Sequence, residues 1–421
     1  MIAKRTAILI GEAIEKVMRD SKRQPVEEVS LLQSANRFLA EDIVATNPVP
    51  AFDRALYDGY AIRAEDTANE PVTLQVIGEI GAGSVFTGDV QPNQAVRIMT
   101  GAEMPAGCNA VVMLEDVIER DAQKIEVRQL VQCGARVFLK GAEIRQGACV
   151  LAKGTQITPG VIGILATFGY HHVPVFVKPI VGVLATGSEL LDVDEPLAPG
   201  KIRNSNSYML LAQVEQAGGE AVYLGKLEDD LEKSVEVMRH ALTKVDVLLT
   251  TGGVSVGDYD YLPAIYTRLG AEVLFNKLAM RPGSVTTVAV LGEQYLFGLS
   301  GNPSASFIGF ELFVRPLIRQ QLGSDIPHLL SVPAVLADDY SAPNQFTQLI
   351  RVKSTFCNGQ LIVSVNGLNM SGAITAIAGA EALAVLPPTT TGYKRGQTVN
   401  VLLLAAQKGQ AHSYWGDENE S

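Results

Sequence analysis

The 421-residue sequence is short of cysteine, aromatic side chains and charge, and each shortage removes a class of function. Its four cysteines, at 108, 133, 149 and 357, include no C-x-x-C pair, which excludes a zinc ribbon and a disulfide framework. No uninterrupted apolar run approaches the roughly 20 residues needed to span a bilayer. Met1-Ile2-Ala3-Lys4-Arg5 is not followed by an apolar core, so no signal peptide is expected and a soluble, cytoplasmic protein is. Charged residues are only 19%, and their balance is −11, which argues against nucleic acid or an acidic membrane surface as partner. The glycine run at 252–257 contains neither G-x-G-x-x-G nor G-x-x-x-x-G-K-[ST], so the ordinary dinucleotide and Walker readings fail. Adjacent His171 and His172 lie in a β-like stretch where neighbours face opposite sides, which disfavours a shared metal.

What is present points to a folded, multidomain α/β protein. Hydrophobic residues make up 47%, aromatics 6%, and 39 glycines suit many tight turns. The length is too great for one core and suggests roughly two to four domains. Residues 6 to 20 read as a helix and Val29 to Phe38 as a second, shorter one. From Val72 to Val127 the pattern is β-rich, predicting an inserted β domain over 47–138. Helix-like Pro159 to Phe168 leads to Lys178-Pro179, and segments 1–46 and 139–177 are assigned together to a linker and dimerisation domain. Strands and helices alternate over 178–325, which calls for a central doubly wound parallel-sheet domain. Residues 326–407 return to short strands and read as a small β-rich C-terminal domain, followed by a polar tail over 408–421 expected to be disordered.

The chemistry concentrates where strands of the 178–325 segment end. Val245 to Leu249 reads as a buried strand, and it runs into Thr250-Thr251-Gly252-Gly253-Val254-Ser255-Val256-Gly257-Asp258-Tyr259-Asp260. Thr186 to Leu190 and Leu299 to Ser304 end two further strands. In an open sheet such loops gather at the carboxyl edge, where ligands bind, and helix amino termini there favour phosphate or another oxyanion. Lys277, Arg281 and Gly283 supply positive charge and a flexible turn near that edge. Glu189, Asp229, Asp230, Asp258 and Asp260 make it acidic, and hard oxygen ligands point to Mg²⁺ rather than zinc. The plainer alternative makes Asp229 and Asp260 helix N-caps and Glu189 a solvated turn. Two more clusters lie far off: Phe52 to Ala61, with two acids, two tyrosines and an arginine, and Arg97 to Gly107, a strand entering a glycine–proline turn.

These clusters, in this order, resemble the molybdopterin molybdenumtransferases, the MoeA family, which includes the E domain of gephyrin. The matching pieces are Phe52–Asp53, Asp58–Ala61, Arg97 to Pro105, Gly141 to Gly147, Thr186 to Leu190, Ser205-Asn206 and Asp229-Asp230. Gly252 to Asp260, Lys277 to Gly283, Gly301-Asn302-Pro303, Arg351, Ser371-Gly372 and Leu386-Pro387 complete them. The resemblance implies a homodimer with active sites between subunits. It implies a reaction in which adenylylated molybdopterin, bound with Mg²⁺, and molybdate yield molybdenum cofactor and AMP. Asp58, Thr100, Glu189, Asp229, Asp260 and Lys277 match positions associated with activity, with Glu189, Asp229 and Asp260 as the metal set. Gly252, Gly253, Ser255, Gly257, Asp258, Asn206, Gly301, Asn302 and Pro303 match the substrate loops, and Arg281, Pro282, Arg351 and Ser371 the molybdate pocket. The implied partners include the adenylyltransferase of the same pathway and acceptor molybdoenzymes.

The sequence departs from the commonest family pattern at Arg54, Tyr57, Ser284, Ser300 and Ala305. Arg281 keeps a charge where a lysine is usual but offers a planar fork instead of a point charge. Three other readings compete. A molybdopterin adenylyltransferase, or a nicotinamide-nucleotide or ADP-ribose hydrolase, would share the central domain but lack the flanking ones. A catalytically weak scaffold or molybdopterin-binding protein of the same fold could shed Asp58, Glu189 or Asp260, and all three are present.

Overall fold

The structure is a computed structural model that describes residues 6–227, 230–252, 262–389, 391–404, 409–410, 412–413 and 415. Backbone contacts divide the chain into two compact units: Met1–Ala40 with Gly154–Pro159 and His172–Ser421, and Glu41–Lys153 with Gly160–His171. No helix among the described residues is long and apolar enough to cross a membrane.

The larger unit is built on a six-stranded sheet. Its strand order is Glu220–Leu227, Ile180–Thr186, Val247–Thr251, Gln294–Leu299, Thr287–Leu291, Glu272–Phe275. The first four strands run parallel. Thr287–Leu291 turns back antiparallel and Glu272–Phe275 reverses again, so five of the six point the same way. Val247–Thr251 is buried at every position, as a strand covered on both faces must be. Val181, Val183, Val247, Leu249 and Phe297 enter one core cluster, and Leu184, Leu248 and Leu296 another on the opposite face. In helix Ser205–Ala217, Asn204 is the cap, accepting from Ser207 N–H at 3.1 Å, and Gly218 ends it at φ 103°.

The β-rich C-terminal segment of this unit closes on itself. Thr347–Cys357, Gln360–Val365, Ser331–Leu336, Thr398–Leu403 and Ala382–Leu386 pair in turn, and Ala382–Leu386 pairs again with Thr347–Cys357. Closure leaves no free edge in this five-stranded ring. Alternation sends Ile350, Val352, Ala384 and Val401 to its interior, while Leu349, Leu383, Val385 and Leu402 join the core of the α/β sheet. Segments 178–325 and 326–407, assigned to separate domains by pattern, therefore share apolar packing.

Two local expectations change. Val29 to Phe38 is not a helix: Val26–Ser30 is a strand paired with His172–Phe176, followed by a 3-10 turn at Leu31–Ser34. Its partner lies about 140 residues away, so no local periodicity reveals it. The polar tail is in part ordered. Gly409–Gln410 pairs with His328–Leu329, and Trp415 is 3% exposed against Gly11, where an added Cβ would lie 2.7 Å from the Trp415 carbonyl oxygen. One large aromatic side chain is enough apolar surface to dock a polar segment.

The smaller unit holds a second six-stranded sheet, in the order Ala110–Met113, Gly59–Ile62, Gln94–Ile98, Val72–Ile80, Lys124–Val127, Val117–Asp121. Both faces are covered: Tyr60, Ile62 and Val112 pack on one side, Ala61, Val96 and Val111 on the other.

Candidate functional site

Strand ends converge at the carboxyl edge of the α/β sheet. Gly252 follows Val247–Thr251 with φ 95°, and a Cβ there would lie 2.4 Å from the carbonyl oxygen of Thr186. Only glycine meets both demands. Gly301 packs on the other side in ordinary contact, its Cβ direction ending 3.5 Å from the Gly252 Cα. Asn206, 8% exposed, ties these ends together through Nδ2, which donates to Thr251 Oγ1 at 2.9 Å and to the Gly301 carbonyl at 2.8 Å. Its Oδ1 and the Thr186 Oγ1 are buried without a hydrogen-bond partner among the described residues. Buried polar atoms seldom stay unsatisfied without a functional reason.

Glu189 is exposed beyond the end of Ile180–Thr186, and its carboxylate folds toward Gly187. Gly253, Ser255, Gly257, Asp258 and Asp260 lie outside the described residues, as does Asp229. The cap of helix Leu231–Leu242 is Asp230, which accepts from Lys233 N–H at 3.0 Å. Among the described residues no three His, Cys, Asp or Glu side chains converge as a metal cage. The donor chemistry nonetheless suits Mg²⁺, which is usually held by one or two carboxylates together with substrate phosphates. Glu189 offers such an exposed carboxylate.

Lys277 is partly buried two residues past the end of Glu272–Phe275, and its carbonyl accepts from Ile8 N–H. The chain then leaves the α/β sheet. Met280–Arg281 pairs in parallel with Thr347–Gln348 of the barrel, so Arg281 sits on the barrel side and not among the strand ends. A cavity of about 420 Å³ opens there, lined by Arg281, Pro282, Ser300, Asn302, Arg351 and Ser371, among others. Ser284 and Ala305, two departures from the family pattern, also line it. Ser300 and Asn302 thus border the cavity while Gly301 between them serves the sheet edge.

Arg351 is 1% exposed. Its Nη2 donates to the Leu368 carbonyl at 3.2 Å, to Asn369 Oδ1 at 3.3 Å and to the Met370 carbonyl at 3.3 Å. Among the described residues its Nε has no partner and no carboxylate pairs with it. Burial pulls its pKa down from its ordinary value, opposed by Tyr340. A guanidinium keeps its proton even so, and a buried charge without a counter-ion is costly. An anion in the cavity would relieve that cost.

Pro303 opens the helix at Pro303–Gly309, but its amino terminus is less free than the sequence suggests. Pro303 has no N–H, and Ser304 N–H donates to the Ser371 carbonyl at 3.0 Å. The next two, of Ala305 and Ser306, turn back to the Asn302 carbonyl. This terminus anchors the barrel loop at 368–373 instead of offering a ring of open donors.

In the smaller unit, the clusters at 52–61 and 97–107 meet. Ala55 N–H donates to the Ala102 carbonyl and Gly101 N–H to the Ala55 carbonyl. The Asp58 carboxylate accepts from both the Thr100 N–H and its hydroxyl, each at 2.7 Å. The hydroxyl bond first and the backbone bond second hold Asp58 below its ordinary pKa of 3.8. Gly59 is needed here, since a Cβ would fall 2.0 Å from the Val112 carbonyl. Arg54 stacks its guanidinium 5.3 Å from the Phe138 ring centroid, while Tyr57 is 52% exposed.

Three polar cavity residues escaped the sequence reading: Tyr340, Gln348 and Asn369. None sits in a glycine-rich or charged motif. The one available signal was the charged Arg351, at alternate position to the buried Ile350 in a strand.

Residues 8–169 match the MoeA N-terminal region (domain I and II), 182–320 a probable molybdopterin binding domain, and 333–404 the MoeA C-terminal region (domain IV). The chain is 50% identical to a molybdopterin molybdenumtransferase of Bacillus subtilis over 97% of both chains. It is 47% identical to one of Staphylococcus epidermidis over 96% of this chain and 97% of that one. The crystal structure of a molybdopterin biosynthesis MoeA protein from Pyrococcus horikoshii superposes with TM-score 0.81 at 34% identity, covering 94% of this chain and all of the other. Fold and site therefore define a MoeA-type protein with a molybdopterin-binding type central domain. The chain belongs to the molybdopterin molybdenumtransferase family, a transferase family of molybdenum cofactor biosynthesis.

Proposed function

We propose that this chain inserts molybdenum from molybdate into the dithiolene of molybdopterin, taking the pterin in adenylylated form and releasing AMP. The observation that carries the reading is Arg351, a fully buried guanidinium without a carboxylate partner beside a cavity that Arg281 also lines. A protein of net charge −11 repels a dianion at long range, so only a local pair of cations can hold molybdate. Ser371 and the Arg281-Pro282 turn complete that pocket. The strand-end loop at Gly252 and Gly301, with Asn206 fixing their spacing, bounds the pterin phosphates. Asp58, Thr100 and Lys277 are further candidates for the reaction.

Glu189, Asp229 and Asp260 would hold Mg²⁺. When bound, Mg²⁺ neutralises phosphate charge and polarises the phosphoanhydride. The protein's own part is to orient the two ligands and exclude competing water, and Asp58, held in its ionised form by Thr100, can accept a hydrogen bond from a donor and hold it in place. The same reading makes the protein a homodimer that receives substrate from the adenylyltransferase and passes product to acceptor molybdoenzymes. Purified protein with adenylylated molybdopterin should release AMP with molybdate and Mg²⁺, and stop in excess chelator. AMP release that ignores molybdate would contradict the transfer reaction. Sedimentation showing only monomer under assay conditions would contradict the dimer.

A further inference from the structure

The cavity residues that the sequence did not reveal form a chain of hydrogen bonds with one direction. Arg351 Nη2 can only donate, so Asn369 Oδ1 accepts from it at 3.3 Å. Asn369 Nδ2 donates to the Tyr340 hydroxyl oxygen at 2.7 Å, and the Tyr340 hydroxyl donates to Gln348 Oε1 at 2.6 Å. A guanidinium has no acceptor, so the order cannot reverse. At the far end Gln348 Nε2 has no partner among the described residues and is not buried. Arg351, Asn369, Tyr340 and Gln348 all line the cavity, and among the described residues no aspartate or glutamate does.

We propose that this polarity makes the cavity selective for tetrahedral oxyanions that carry no proton, against hydrogen phosphate, with Gln348 Nε2 as a donor to the bound oxyanion. Tyr340 and Asn369 are positioning residues. The inference rests on the reading that molybdate occupies this cavity. Molybdate, tungstate and sulfate present only acceptor oxygens near neutral pH. Hydrogen phosphate keeps one O–H that needs an acceptor, and here the Asn369 and Gln348 carbonyl oxygens already accept from Arg351 and Tyr340, so an added O–H would have to share them. The hydroxyls of Ser284, Ser300 and Ser371 and the amide of Asn302 can turn either way, so they do not discriminate. The side-chain nitrogens of fixed direction, on Arg281, Arg351 and Gln348, only donate. A buried donor left unsatisfied weakens binding by roughly ten- to a hundredfold.

Equilibrium dialysis of the full chain with molybdate, at neutral pH and without pterin, tests this through competition by sulfate, tungstate and phosphate. Wild type should lose molybdate to sulfate or tungstate at concentrations where phosphate does little. Tyr340→Phe frees the Gln348 amide to turn its oxygen inward, so the gap between sulfate and phosphate should narrow about tenfold. Asn369→Ala should do the same, and an unchanged thermal melt excludes misfolding. Phosphate competing as well as sulfate in wild type, or a gap unaltered in both variants, overturns the selectivity while molybdate binding that is lost in Arg281→Ala keeps the cavity reading. Molybdate bound equally by wild type and Arg281→Ala, or by neither, removes the cavity reading and the selectivity with it.

Discussion

The backbone N–H of Ser304 donates to the carbonyl of Ser371 at 3.0 Å, across 67 positions of sequence. The Ser304 hydroxyl adds a bond to the Ala373 carbonyl at 3.1 Å. Together they pin the barrel loop that carries Asn369 and Ser371 to the first turn of a helix on the α/β sheet. The cavity wall is therefore shared between two architectures that the sequence presents as separate domains.

Ser304→Ala should keep the backbone bond but lose the hydroxyl bond to the Ala373 carbonyl, at a cost of about 1 kcal/mol. The molybdate concentration for half-maximal AMP release should rise several-fold, with the maximal rate little changed. A fall in maximal rate at unchanged molybdate dependence would place the effect elsewhere.

The Asp58–Thr100 pair makes a prediction about acidity. Removing the hydroxyl in Thr100→Val deletes the larger of the two bonds that depress Asp58, so its carboxyl should titrate closer to 3.8. Carbon-detected NMR of the Asp58 carboxyl reads this directly. Because the folded value is depressed, the stabilisation is present above the unfolded value and lost as pH falls through the folded one.

His328 offers a window at higher pH. Burial, then Arg315 and His412, push its pKa from 6.5 down to about 4. The unfolded chain binds the extra proton between these values, so stability should rise with pH across that window and be full above about 6.5. The span corresponds to at most about 3 kcal/mol. Urea midpoints measured against pH should show the slope, and His328→Asn should flatten it.

Gly252→Ala should be among the more damaging single changes, since it combines a left-handed backbone with a 2.4 Å approach to the Thr186 carbonyl. A loss of roughly 2 kcal/mol or more is expected, read as a lowered thermal midpoint. A Gly225→Ala variant, with φ 96° but open space, should lose less.

Much of the fold was legible because its signals are local. Ser205–Ala217 carries a cap at one end and glycine at the other, and the apolar run from Val245 to Leu249 reads as a covered strand, which forms two residues later at Val247–Thr251. The closure of the barrel was not legible, because it depends on Ala382–Leu386 pairing with Thr347–Cys357. Nor was the strand at Val26–Ser30, whose pattern is set by a distant partner. In the site, glycines and charges stood out, whereas Tyr340, Gln348 and Asn369 matter only through one another. Asn206 was legible as a member of the edge, but its amide nitrogen is taken up in holding strand ends together.

The central claim is that Arg281 and Arg351 hold molybdate, and Arg281, being exposed, can be changed with least risk to the fold. AMP release should be followed against molybdate concentration for wild type and Arg281→Ala, alongside binding of adenylylated molybdopterin to each. Loss of one charge-assisted bond of roughly 1.5–3 kcal/mol should raise the molybdate requirement about ten- to a hundredfold. Pterin binding should stay nearly unchanged. Equal weakening toward both ligands, or an unaltered molybdate requirement, would contradict the assignment.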